Sequence, residues 1–273
     1  MTNQLVKKMT EITPTRSTQS ERADQTRARI LDAAIQEFSE NGLSGARTEQ
    51  IAEAAGVNKA LIYYYFQGKE ALYIAALESA AQGMVANALR VLQLECSAGE
   101  RFLHFALNHF DRIYSEPVFQ KLMQQEMIRL TKGESNVLSP LVETLFKPLG
   151  EKTNAVIAEG IRLGELVPVD STQVMYAALG ANVFYFLSAP MMRLMNAAEP
   201  FERSSLELRR KAAIEYLGQT IFTDRGHGAQ VAARVRAASP MPLTIKPPMH
   251  IAGKTLNPEI DSAKTGADEL RPK

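Results

Sequence analysis

The chain has 273 residues, 45% of them hydrophobic, enough for one or two packed domains of about 100–200 residues each and too many for a chain disordered throughout. Its formal net charge of +1 gives no overall positive field, so any role with nucleic acid must rest on local arrangement. The single cysteine, Cys96, excludes an internal disulfide framework and fits a reducing, cytoplasmic setting, while the four histidines lack metal-ligand spacing.

Residues 1–22 are rich in Thr, Ser, Gln and Lys without apolar periodicity, and are expected to form a disordered arm. They contain no apolar core of a signal peptide, and no stretch of the chain reaches the ~18 uninterrupted apolar residues of a membrane span. Neither export nor membrane insertion is expected. From there to about residue 225, apolar residues recur at three- and four-residue spacing and period-two runs are absent, which predicts an all-α fold.

A first helix is predicted over 23–41, with Ile30, Ala34 and Phe38 on one face and Gly42 as its stop. A second begins after Thr48, whose hydroxyl can cap its first turn, and carries Ile51, Ala52 and Ala55 inward before a turn at Gly56-Val57. Asn58 then caps a third, with Ile62, Tyr65 and Phe66 on one face, and Gln67-Gly68 leads into a long fourth helix at Lys69. Further helices are predicted at about 100–115, 117–131, 138–163, 170–196 and 204–224, about nine in all. Five prolines between 240 and 258 argue against a continuous element at the end, so 226–273 is expected to be a disordered tail.

Two short helices across a tight turn, braced by a longer one before them, make a helix-turn-helix over about 47–66, in which the second short helix enters the major groove. That helix leaves Lys59, Ala60, Leu61, Tyr63 and Tyr64 outside the core. Lys59 can donate to guanine, Ala60 permits close approach and Leu61 can meet a thymine methyl, while the tyrosine hydroxyls can donate to phosphate. Arg47 and Thr48 stand at one helix N-terminus and Lys69 at another, where the dipole and free amides favour phosphate. One of three consecutive tyrosines must point inward, and Tyr65 is the one expected to be partly buried.

The run R-T-E-Q-I-A-E-A-A-G-V-N-K-A-L-I-Y-Y-Y-F-Q-G-K-E-A-L at 47–72 resembles the DNA-binding domain of the TetR family of transcriptional regulators, and the resemblance extends over about 23–83. It implies phosphate contacts for Thr48, Tyr63, Tyr64, Tyr65 and Lys69, and base reading mainly by Lys59, Ala60 and Leu61. Similar sequences commonly carry Gly and Thr or Ser where this chain has Ala60 and Leu61, so its operator sequence cannot be borrowed from a relative. The resemblance further implies a divergent helical ligand-binding and dimerisation domain, here 84–225, with the last two long helices pairing in a homodimer.

Within that domain, Phe105, Met123, Met127, Met175 and Phe184 are candidate lining residues of a broad apolar effector site, since methionine adapts to varied shapes; ordinary core filling is the alternative. His104, His109, Glu126 and Arg129 can orient a ligand's polar end or lie at the surface. No cofactor or metal is expected. The reading is a ligand-responsive repressor that binds double-stranded palindromic operator DNA as a homodimer and is released by a small apolar effector. An activator or dual regulator of the same fold is one alternative; a helical small-molecule-binding protein or enzyme with an incidental helix-turn-helix is another, though no nucleophile-base pair or phosphate-binding glycine loop supports it.

Overall fold

A computed structural model describes residues 16–135, 137–195 and 199–242. These fold into α1 (Arg16–Gly45), α2 (Thr48–Ala55), α3 (Lys59–Phe66), α4 (Lys69–Val91), α5 (Ala98–Ser115), α6 (Pro117–Thr131), α7 (Leu138–Leu141), a π-helical turn (Val142–Phe146), α8 (Lys147–Arg162), α9 (Ser171–Leu194), α10 (Arg203–Thr220) and α11 (Arg225–Ala238). The fold is all-α. Its one β-type contact among the described residues is a bridge from Leu166 to Phe222, flanked by bonds from Val167 N to Ile221 O (2.9 Å) and Thr223 N to Glu165 O (3.0 Å).

Three expectations change. First, α1 begins at Arg16, so residues 16–22 are helical rather than part of a disordered arm; residues 1–15, with Lys7 and Lys8, lie outside the described residues. The helical geometry does break at Gly42, as its position predicts. Second, the helix expected over 138–163 is interrupted by the π turn, which shifts the register of its faces by a fraction of a turn.

Third, the C-terminal segment is not disordered throughout, because residues 225–238 form α11; residues 243–273 lie outside the described residues. The prolines all fall at 240 or later, so none breaks this helix. Asp224 caps it by accepting from Gly226 N (2.8 Å) and His227 N (3.0 Å). Val231, Ala232 and Val235 then bury one face. α10 and α11 meet backbone to backbone at Gly218 and Gly228, where a Cβ on Gly228 would lie 1.9 Å from the Gly218 carbonyl oxygen. Glycine is required there for room rather than for conformation.

Two large cores organise the molecule. One joins Ile30, Phe38, Ile51, Ile62 and Leu72 of the first four helices to Leu122 of α6 and Leu141 of α7; the other joins the far half of α4 to α5, α8, α10 and α11. α4 passes through both, with Leu72 to Leu77 in the first and Val85 to Ala88 in the second. A smaller cluster, Phe110, Ile113, Tyr114, Phe186 and Leu206, ties α5 to α9 and α10. Among the described helices α9 alone is long and apolar enough to cross a membrane by length and composition. In the fold it lies against α5, α8 and α10, with an inward face of Ala178, Asn182, Phe186 and Ala189.

Candidate nucleic-acid interface

The turn between α2 and α3 forms because Gly56 adopts φ 63° and ψ 42°, a left-handed conformation that a side chain disfavours, and its amide closes α2 onto Glu53 O. Asn58 starts α3 by accepting from Ala60 N at 2.9 Å. The start of α2 is fixed differently from expectation. Thr48 makes no cap; Arg47 occupies the cap position, and its amide donates to Glu37 Oε1 of α1 at 3.0 Å.

Thr48 is 7% exposed, and its hydroxyl donates to Glu49 Oε2 at 3.4 Å. Arg47, Ala60, Tyr63 and Tyr64 are exposed, Tyr64 at 77%, while Tyr65 is half-buried against the Tyr64 ring (5.1 Å, edge to face). Leu61 is also half-buried and packs on the core of the head, which corrects its placement outside that core. On an eight-residue helix whose inward face is Ile62 and Phe66, the neighbouring Leu61 lies at the edge of that face. Lys69 donates from Nζ to Ser44 O at 3.2 Å, pinning the start of α4 to the end of α1 beyond the break at Gly42.

Lys59 is engaged. Its ammonium meets Glu49 Oε1 at 2.5 Å and lies 5.8 Å from the Tyr63 ring centroid. The bond to Glu49 raises the Lys59 pKa, and the same bond holds the Glu49 carboxyl below its ordinary range. Sequence reasoning missed Glu49. The signal was a carboxylate on α2 ten residues before the lysine, but the fold across Gly56 is what brings the two together.

Behind the head, α6 docks on it through polar bonds. Glu126 is 0% exposed and accepts from Tyr73 Oη of α4 (2.7 Å), from Arg129 Nη1 (3.1 Å) and from the Ser135 hydroxyl. The Arg129 guanidinium lies 5.5 Å from the Tyr73 ring centroid. Burial and the hydrogen bond to Glu126 push the Tyr73 pKa up, so the phenol stays protonated as a donor. Gln125 adds a bond from Nε2 to Ser39 O of α1 at 3.0 Å.

The apolar residues considered for an effector site do not converge. Phe105 is buried in the second core and Met123 packs against the first, whereas Met127 is 56% and Phe184 61% exposed; Met175 is half-buried. Phe184 points outward because it follows Ala177, Gly180 and Ala181 at one-turn spacing, on the side of α9 opposite Phe186. A cleft of about 300 Å³ instead lies among α5, α9 and α10, lined by none of those five. Of the polar candidates, Glu126 and Arg129 serve the junction with the head, His104 meets the Ser239 hydroxyl at 3.4 Å, and His109 Nδ1 is buried without a hydrogen-bond partner.

A helix-turn-helix with exposed tyrosines and a lysine opening its second helix, backed by a helical domain that shares its core, defines a DNA-binding regulator with a second, regulatory domain. Residues 30–76 match the family described as bacterial regulatory proteins, tetR family. The HTH-type transcriptional regulator RutR of Escherichia coli strain K12 is 32% identical over 192 residues, covering 68% of this chain and 87% of that protein. The chain belongs to the TetR family and is a transcriptional regulator. The HTH-type transcriptional repressor NicS of Pseudomonas putida is 49% identical over 59 residues, 22% of this chain and 28% of that protein. In overall fold the chain is similar to a gamma-butyrolactone receptor, with a TM-score of 0.56 and 22% identity over 80% of this chain and 100% of that one.

Proposed function

We propose that this regulator is a ligand-responsive repressor, binding a palindromic operator as a homodimer and released by a small, largely apolar effector. The observation that carries the reading is the shared core of head and helical domain, through which α4 runs from the Lys69 loop into the second core. Both α6 and α8 pack against α4, so a ligand-driven shift of either reaches α4, and a shift of α6 also strains the Tyr73–Glu126 bond. Differential affinity of the effector for the two arrangements then supplies the energy for release. The relatives support the two halves of this reading: one is named a repressor, and a protein of similar fold is a receptor for a small lactone.

On the operator, Arg47, Tyr63, Tyr64 and Lys69 position the duplex through phosphates. Thr48 and Tyr65 contribute less, given their burial. Lys59 and Ala60 read bases at the start of α3, with the apolar edge of Leu61 beside them. One short helix reads few base pairs, so specificity requires two heads on half-sites about one helical turn, 34–36 Å, apart. An outer stripe on α9, Phe184, Leu187, Met191 and Leu194, together with Tyr216 on α10, supplies an apolar surface for the second copy.

Selection of bound fragments from genomic DNA, followed by sequencing, tests the reading. A single inverted-repeat motif bound about 10³-fold or more above random sequence supports it, and reporter expression should rise when the gene is deleted. Binding without sequence preference, or reporter expression that falls on deletion, would contradict it.

A further inference from the structure

We propose that the cleft among α5, α9 and α10 binds a small monocarboxylate with an apolar body, its carboxylate held by Arg209. This rests on the repressor reading only in supposing that the occupant is an effector.

The gap exists because α9 and α10 present small side chains to it, Ala177, Ala178 and Ala181 on one side and Ala213 on the other, over a floor that includes Leu107 and Phe110 of α5. Its volume of about 300 Å³ is at the lower end of ordinary small-molecule sites. At its edge stands Arg209. The guanidinium donates from Nη2 to Ala181 O at 3.2 Å and lies 5.7 Å from the Tyr185 ring centroid, but its Nε is shut off from water and bonds to nothing among the described residues.

Arg209 also forms no ion pair among the described residues, in contrast to the next residue, Arg210, which is bidentate to Asp111 at 2.7 and 2.9 Å. Arg209 is half-buried, so a ligand carboxylate would meet a cation partly screened from water and without a competing carboxylate among the described residues. Burial accordingly lowers the Arg209 pKa, though the group stays charged. Among the described residues Arg209 is the one charged residue lining the cleft, and one cation fits one negative charge. A phosphate dianion would bring a second charge with no partner, and a neutral apolar molecule would leave the guanidinium without a counter-ion.

The cleft opens beside the outer stripe of α9 and α10, for Tyr216 both lines it and is exposed. In a dimer formed on that stripe the second copy would close the mouth, so occupancy would be felt at the subunit seam.

Isothermal titration calorimetry of the full chain with octanoate, and with octanamide as its neutral isostere, tests the site. Saturable octanoate binding at one site per chain is expected, with octanamide at least about tenfold weaker and Arg209→Gln weakening octanoate by at least about tenfold. Ala177→Leu, which fills the gap without touching the charge, should also abolish binding, and serves if Arg209→Gln does not fold. Equal affinity for acid and amide, octanoate affinity unchanged in either variant, or no saturable binding because a side chain of a second copy fills the gap would each overturn the proposal. Operator binding by the unliganded protein is measured in parallel; if it persists while octanoate fails, this site is lost and the repressor reading stands.

Discussion

Among single residues, the pairing of Lys59 with Glu49 changes what the recognition helix offers to DNA. On the proposed base-reading role, Lys59 must leave a carboxylate 2.5 Å away before it can donate to a base, and a wrong sequence that offers a poor acceptor would not compete with Glu49. Glu49→Gln should therefore tighten binding to random DNA more than to the operator, and steepen the dependence of log affinity on log salt by about one unit, read by fluorescence anisotropy across a salt series. An unchanged slope and unchanged discrimination would show that the pair plays no part in recognition. His109 makes a prediction about stability. Burial lowers its pKa from 6.5 to about 4, so between those values the unfolded chain binds a proton that the folded chain refuses. Its contribution is complete above about pH 6.5 and is lost as pH falls toward 4. The loss between pH 7 and pH 5 is about 2 kcal/mol, and His109→Gln should remove that part of the pH dependence in urea unfolding.

The junction of α4 with α6 is the element that links the two domains, and its centre is the buried Glu126 carboxylate with three donors around it. Glu126→Ala leaves the Tyr73 hydroxyl and part of the Arg129 guanidinium unpaired, and should destabilise the chain by about 3 kcal/mol in urea unfolding. Tyr73→Phe removes one bond and should cost about 1 kcal/mol. These side chains illustrate what a sequence leaves open. Glu126 stands among Gln, Met and Arg on α6, and as a string it suits an exposed face or a ligand contact equally; its burial follows from α1 and α4 packing over it. The four head helices were legible because Gly42, Gly56, Asn58 and Gln67-Gly68 act on their own neighbours, within a turn of the chain. α11 was not, since Arg-Gly-His-Gly at its start reads as a loop until Gly218 of α10 allows close packing against it.

For the whole molecule, the central expectation is pairing through the outer stripe of α9. Leu187→Glu places a charge in the middle of that stripe, where Leu187 is 58% exposed in one chain and would be buried between two. Light scattering should give the mass of two chains for the unaltered protein and of one for the variant, with operator affinity falling about 10²-fold or more; a variant that remains dimeric would move the interface elsewhere. By itself the sequence determined the all-α class, the helix-turn-helix at 47–66 and the family resemblance, because these rest on local periodicity, caps and turn residues that need no distant partner. Only the tertiary structure decided that Lys59 is held by Glu49, that Phe184 and Met127 face outward, that Glu126 is sealed at the domain junction, and that a cleft opens beside Arg209. Each of these depends on which helix faces lie together, and that is fixed by packing between residues tens of positions apart, which a local pattern cannot specify.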